Sequence, residues 1–484
     1  MNIFHRKPLS SPCAVLTAAG LSLGLLSGCG EDIQTLVMVT LKDRPSGATA
    51  LYVGADLDDK SKELTFLQPA DGQPSEDIKT LPGNIDKLAL RLPARKTGKV
   101  TVSVGVAKSN LPCLRGFGSN SVQVNGEPQV ALDVKMTDYV FGMCPAQTNP
   151  LYGVWGSGAN DVWMVGDSGS IVRWNGSTLI DEATSSKEAF QAVWGSGPNN
   201  VWVVGNGGTL IYSCNGTKRT ISPDELGIPK LPKYGLASVH GTSQRDVWVV
   251  GEDASGSVLR PVVIHIDGGA DCSSKVTGTL IALASPPTGA NTSWLNAVFV
   301  RGSRVWAVGV DNNMQDNRLL LRYNGSTFTT LVPPGQGTIG LTTLAGSAGG
   351  QELWTAGFSN QMVRFMDDGT SATAMTLPNP AGDPQNSTHP NVTFWSVWGA
   401  DPQRAYAVGT RSGLLEFIAS NTPPWQVVPR PEFIAPDRTT FFSVWGVPDP
   451  SGGLPKQMWL VGRREPATES GQSVGVIYHF VNGL

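Results

Sequence analysis

Seven times between Leu151 and Leu484 the chain repeats one two-part phrase. An apolar stretch ends in Trp-Gly, a short turn follows, and then comes an aromatic residue with Gly three positions further on. The first copy reads Val154-Trp155-Gly156, then Asp161-Val162-Trp163-Met164-Val165-Gly166. The second part is the firmer ruler. Its aromatic residues are Trp163, Trp202, Trp248, Trp306, Trp354, Tyr406 and Trp459, spaced 39 to 58 residues apart, and each has its Gly, from Gly166 to Gly462. The first part is clear at Trp155-Gly156, Trp194-Gly195, Trp398-Gly399 and Trp445-Gly446. It becomes His240-Gly241 in the third copy and fades to Phe299-Val300 and Ala345-Gly346 in the fourth and fifth. A period of this length, built from strand and turn residues, belongs to a radial array of small sheets.

Each unit parses into four strands. In the first they cover residues 151–157, 161–166, 170–174 and 177–181, with Asn175-Gly176 as the last turn. Asn-Gly is the strongest short hairpin signal, because both residues tolerate positive φ in a type I′ turn; it recurs at Asn215-Gly216, Asn324-Gly325 and Asn482-Gly483. Strands this short cannot close a core alone. The sheets must stack, and the Trp residues are expected to fill the interfaces. The repeated Gly points to close backbone approach or a bulge at the inner strand. His240, in a Trp position, is expected to pack in a blade or line the channel.

The segment before the repeats has another texture. Val37/Val39/Leu41, Leu88/Leu90/Leu92, Val100/Val102/Val104/Val106 and Val130/Leu132/Val134/Met136 alternate with period two, the mark of half-buried strands. About seven such strands in roughly a hundred residues suggest a sandwich. The expected fold is all-β: a small immunoglobulin-like β-sandwich over residues 29–136, then a seven-bladed β-propeller over residues 137–484.

The string from Val154 to Gly166, continued by Gly169-Ser170-Ile171-Val172-Arg173-Trp174-Asn175-Gly176, resembles the Trp-Gly/Asp-Val-Trp-x-Val-Gly propeller repeats of secreted and lipid-anchored proteins of myxobacterial type. The resemblance covers about residues 151–484. It implies a surface or periplasmic binding scaffold and carries no catalytic residues to transfer.

Residues 1–28 read as a lipoprotein signal peptide: Arg6 and Lys7, an apolar core over residues 14–25, then Leu26-Ser27-Gly28-Cys29. Cys29 is the expected lipidation site. Gly30, rather than Asp, follows it and favours the outer membrane, on its periplasmic or cell-surface side. Four further cysteines in an exported chain suggest disulfides, for which three pairings are possible; sequence proximity favours Cys113–Cys144 and Cys214–Cys272. With no Lys/Arg cluster and a formal charge of -3, the composition argues against nucleic acid as a partner.

In a four-stranded blade the first-to-second and third-to-fourth turns share one face. The second-to-third loops and the crossovers share the other. The first face reads as tight, except at Pro448–Pro455. The insertions fall on the second face, where binding residues carried by a rigid scaffold are expected. The candidate ligand-binding residues are Asp253, Arg260, Trp294, Asp311, Asn313, Arg411, Arg463, Arg464 and Glu465.

Catalytic patterns are sparse. There is no His-Glu-x-x-His, no Cys-x-x-Cys and no Ser-x-Asp-x-Gly-x-Thr-Trp box. Asp311-Asn312-Asn313 and Asp56/Asp58 offer oxygens to Ca²⁺, but neither completes a twelve-residue loop; no other cofactor is expected. The leading expectation is an anchored lipoprotein that binds a protein or glycan through its long-loop face, as an adhesin or envelope scaffold. Two alternatives stay open: a polysaccharide-active glycosidase or lyase at the channel mouth, and an accessory lipoprotein of an envelope assembly or secretion machine.

Overall fold

The computed structural model describes residues 36–44, 48–57, 78–84, 86–91, 97–108, 113–125, 127–144, 147–182, 184–229, 231–285, 287, 289–314, 317–331, 340–347, 350–357, 361–366, 372–377, 393–428, 439–466 and 472–481. The signal peptide, Cys29, Asp58, the Asn482-Gly483 turn and most of the crossovers at residues 378–393 and 429–440 lie outside them. The chain divides into two compact units, Met1–Ala146 and Gln147–Leu484.

In the first unit the period-two segments are strands. Lys87–Arg91, Leu36–Lys42 and Gln129–Lys135 form one sheet in that order, the last two running parallel. A second sheet sets Ile78–Pro82, Ala48–Leu57, Thr97–Lys108, Leu114–Asn125 and Thr137–Met143 side by side. Both sheets turn their alternate residues into one core, with Val37, Val39, Leu132 and Val134 from the first meeting Leu51, Val100, Val102, Val104 and Val124 from the second. Cys113 and Cys144 form a disulfide within this unit.

The second unit is built of four-stranded antiparallel sheets. The first consists of Leu151–Gly158, Asp161–Gly166, Ile171–Trp174 and Leu179–Asp181, within a residue or two of the boundaries expected from sequence. Five more sheets follow along the chain, and then the three strands Thr439–Val447, Gln457–Arg464 and Val474–Val481. The first strand of each sheet packs on the first strand of the next, and Thr439–Val447 packs back on Leu151–Gly158. The sheets therefore circle a common centre, as in a β-propeller, with the first strands innermost. Gln147, ahead of the first sheet, and Gly475 of the last strand exchange two backbone hydrogen bonds of 2.9 and 2.8 Å, which tie the ends of the ring.

The Trp-Gly pair is the wedge between sheets. Each indole lies where the Cβ of the next sheet's Gly would stand. A methyl at Gly156 would sit 2.5 Å from the Trp445 ring, at Gly195 2.7 Å from Trp155, at Gly241 2.9 Å from Trp194, and at Gly446 2.6 Å from Trp398. One exception obeys the same rule. Val300 replaces Gly in the fourth sheet, and the ring that faces it from the third is the smaller His240. That imidazole is sandwiched between Trp194 and Phe299, at 5.5 and 4.7 Å. It also accepts the Val300 N–H at 3.2 Å through Nδ1, a bond that only a neutral ring can make. Burial, helped by the Arg301 cation, lowers its pKa to about 4.

The second-part Gly answers a second steric need. A Cβ at Gly166, Gly205, Gly251, Gly309, Gly357, Gly409 or Gly462 would lie 1.9–2.2 Å from a backbone carbonyl at the start of the same sheet's inner strand. At that point every inner strand is bulged. The aromatic residue of the phrase is buried in every copy, and in the first three sheets the polar residue two positions earlier, Asp161, Asn200 or Asp246, accepts its indole N–H. Asp161 takes the Trp163 indole N–H (3.2 Å), Arg173 (2.8 Å) and the Ser157 hydroxyl (2.6 Å). Asp246 does the same with Trp248, His265 and Thr242. Burial works against the Asp246 charge, but these three donors outweigh it and hold its carboxyl below the usual range.

Two turn expectations change. Among the described Asn-Gly turns, only Asn215-Gly216 has both residues at positive φ. At Asn175 and Asn324 the Asn carbonyl instead accepts two backbone N–H groups of the following Ser-Thr, making a four-residue turn with positive φ at Gly alone. The short-loop face also carries a second excursion, residues 268–276, between Arg260–Asp267 and Thr277–Leu280. It has no Asn-Gly to tighten it, and the Cys214–Cys272 disulfide pins it to the neighbouring sheet. The crossover into the fourth sheet starts after Leu280.

Two measurements check this packing. Gly195→Ala places a methyl 2.4 Å from the Asn200 carbonyl as well as on Trp155, and should cost about 1–3 kcal/mol in urea unfolding. Gly197→Ala, with no atom within 4 Å of the added Cβ, should stay within about 0.5 kcal/mol of the parent. The folded pKa of His240 lies below its unfolded value of about 6.5. The unfolded chain therefore takes up the proton first, and the stability present above pH 6.5 should fall as pH drops towards 4. His240→Gln, which keeps an acceptor, should remove that share of the pH dependence. An unchanged profile would show that His240 is not its source.

Candidate functional site

The phrase places the same bulge in every inner strand, and a bulge re-aims a side chain. The unpaired residues are Tyr152, Gln191, Ala237, Asn296, Thr342, Trp395 and Phe442. Because the inner strands circle the centre, these seven positions form one ring. All are half-buried except Thr342, which is buried. A second ring sits beside it, formed by the residue after each second-part Gly: Asp167, Asn206, Glu252, Val310, Thr410 and Arg463 among the described residues. The rings touch where Gln191 donates to Asn206 at 3.3 Å and where the Arg463 guanidinium lies 5.5 Å from the Phe442 ring centre.

Hydrogen bonds place both rings on the long-loop face. Turns between second and third strands bond to crossover segments: Gly169 to Glu188, Ala254 to Lys233, Thr410 to Thr393, Ser412 to Thr439. The opposite face shows its own set, with Asn215 bonded to Asn199 and Gly268 to Gln244.

The ring is chemically lopsided. From the second sheet to the fifth the bulged residues are small or polar, and two are tied to the next sheet. Asn296 donates to the Leu341 carbonyl at 2.7 Å and accepts the Trp294 indole N–H at 3.1 Å, and Thr342 donates to the Phe394 carbonyl. In the sixth, last and first sheets they are aromatic. Phe442 lies 5.3 Å from Tyr152 and 5.8 Å from Trp395, with interplanar angles of 68° and 62°. The three rings are walls inclined to one another, not a stacked slab. Burial raises the Tyr152 pKa, with the Asp167 carboxylate adding to it. Burial alone raises that of Glu252.

The residues singled out from sequence separate into two groups. Around the third and fourth sheets they hold loops. Asp253 accepts the Ser255 N–H, and Arg260 donates to the Asn291 and Gly289 carbonyls at 2.9 and 2.6 Å. Asp311 is buried and accepts from the Ser293 hydroxyl, the Asn313 backbone and the Asn313 side-chain amide. Hydrogen-bond donors thus surround the carboxylate oxygen that the Ca²⁺ reading wanted for a cation; Asn313 also bonds Asn291. Arg411 occupies a positive-φ turn with Ser412. Arg463 and Glu465, paired at 2.7 Å, stand at the aromatic side of the ring. Arg464 follows Arg463 in the strand and faces the other way, near Tyr478.

The bulged residues were missed, although a signal marks them. In Leu-Tyr-Gly-Val-Trp, Phe-Gln-Ala-Val-Trp and Phe-Phe-Ser-Val-Trp, the second column changes from Tyr to Gln to Phe, while the first stays large and apolar, the third stays small and the last two are always Val-Trp. Among the described residues no group of three or more His, Cys, Asp or Glu is arranged to hold a metal ion.

No family model matches the chain, and no curated protein sequence matches it. Among solved structures it is similar to YCF48 bound to a D1 peptide, at 14% identity and a TM-score of 0.48, over 72% of this chain and 99% of that one. It is also similar to YCF48 from Cyanidioschyzon merolae, at 12% identity and a TM-score of 0.47, over 70% of this chain and 98% of that one.

Proposed function

We propose that this protein is a lipid-anchored binding scaffold, and that its seven-bladed head engages a protein partner through the long-loop face. The first unit is an immunoglobulin-like sandwich, and Cys29 carries the acyl chains that hold the protein to the outer membrane. The observation that carries the binding reading is the lopsided bulge ring. A fold needs its wedge residues repeated, and here they are. It does not need three half-buried aromatic residues gathered on one arc of the mouth and amide and hydroxyl groups on the other. Rigid aromatic side chains beside polar groups are what interface anchors are made of.

A photocrosslinking aromatic amino acid placed at position 442 of the full chain should capture one protein in intact cells. The same residue at position 326, in an exposed turn of the opposite face, should not. Equal capture at both positions, or capture at 326 alone, would refute the face assignment. Cys29→Ser should release the protein from the membrane fraction; continued retention would count against the anchor.

A further inference from the structure

We propose that the aromatic arc of the mouth is a seat for a lysine or arginine side chain presented by an extended segment of the partner, and that Arg463 occupies this seat in the free protein. The inference deepens the binding reading above and rests on it.

Arg463 displays the recognition chemistry. Its guanidinium carbon lies 5.5 Å from the Phe442 ring centre, within cation–π range. Its Nε is 2.7 Å from a Glu465 carboxylate oxygen, and the other Glu465 oxygen accepts the Ser473 hydroxyl. An aromatic face and a positioned carboxylate are the two halves of a cation site, and both are already satisfied by a side chain of the chain itself. Tyr152 and Trp395 stand at steep angles on either side of Phe442, so the seat has walls as well as a floor. Aromatic enclosures of this kind favour cations, because each ring offers the negative face of its quadrupole.

The charge around the seat points the same way. In the second ring the described charges are Asp167, Glu252 and Arg463, and Arg463 is already paired. Asp167 is the carboxylate nearest Tyr152 in effect, and Glu252 lies further round, half-buried and weakened as an acid by burial. A cation bound beside Tyr152 would be attracted by the Asp167 carboxylate. An anionic ligand would have to take Arg463 from Glu465 and leave a carboxylate beside itself. Displacement of Arg463 by a ligand cation leaves no such orphan, since the long Arg463 side chain can swing to solvent from a strand end.

The test is calorimetric titration of the full chain with tetra-arginine, and with tetra-glutamate as counter-probe, at low and high salt. Tetra-arginine should bind, more weakly at high salt, and tetra-glutamate should not. Phe442→Ala should weaken tetra-arginine at least tenfold. Arg463→Gln, which removes the internal occupant, should tighten it by about fivefold or more. Circular dichroism melts keep a misfolded Phe442→Ala from counting, and the Arg463→Gln arm does not depend on it. Absence of tetra-arginine binding, unchanged or weaker binding by Arg463→Gln, or preference for tetra-glutamate would overturn the proposal. Partner capture at position 442 that tetra-arginine fails to compete would sink the cation seat and leave the face assignment standing. Tighter binding by Arg463→Gln without any capture at 442 would do the reverse.

Discussion

The second unit depends on one contact: an indole lying over a glycine that has no side chain. Neighbouring sheets can approach closely only because the Cβ is missing where the ring must go, as at Gly195 under Trp155 and Gly446 under Trp398. The large apolar area of each ring then stabilises the interface. Where the ring shrinks to imidazole at His240, the constraint relaxes and Val300 can stand in the glycine's place. At that interface the ring of one unit and the residue facing it in the next change together, as a steric relation between successive units requires.

A second consequence follows from the Gly three positions after the aromatic residue. It admits the carbonyl that begins the inner strand, and the strand answers with a bulge. The bulge frees one side chain per sheet from the ladder and turns it towards the centre. Structural regularity therefore creates a ring of positions that the fold leaves unspecified. Packing constrains the columns either side, while Tyr152, Gln191, Trp395 and Phe442 differ from one another in size and polarity. The mouth is variable because the wall is not.

Much of this was legible residue by residue. The strands of the first sheet, the period-two core of the first unit and the Cys113–Cys144 and Cys214–Cys272 pairs match their sequence expectations. The loop candidates were less legible. Arg260, Asp311 and Asn313 are polar groups on long loops, and such groups most often bond the loop itself, as these do. The excursion at residues 268–276 carries no turn signal of its own, and its fastening is a disulfide to a neighbouring sheet.

The repeat alone determined that the chain would stack small sheets, because short amphipathic strands at that spacing have no other way to bury their tryptophans. Period, turn chemistry and Gly placement are local, so they can be read along the chain. Tertiary structure decided which side chains meet. Tyr152 and Phe442 are 290 positions apart and touch only because the ring closes. Arg463 reaches Phe442 only because a bulge turns that residue out of its ladder. Contacts across a closed circle depend on the curvature summed over every interface, and no single segment contains that sum.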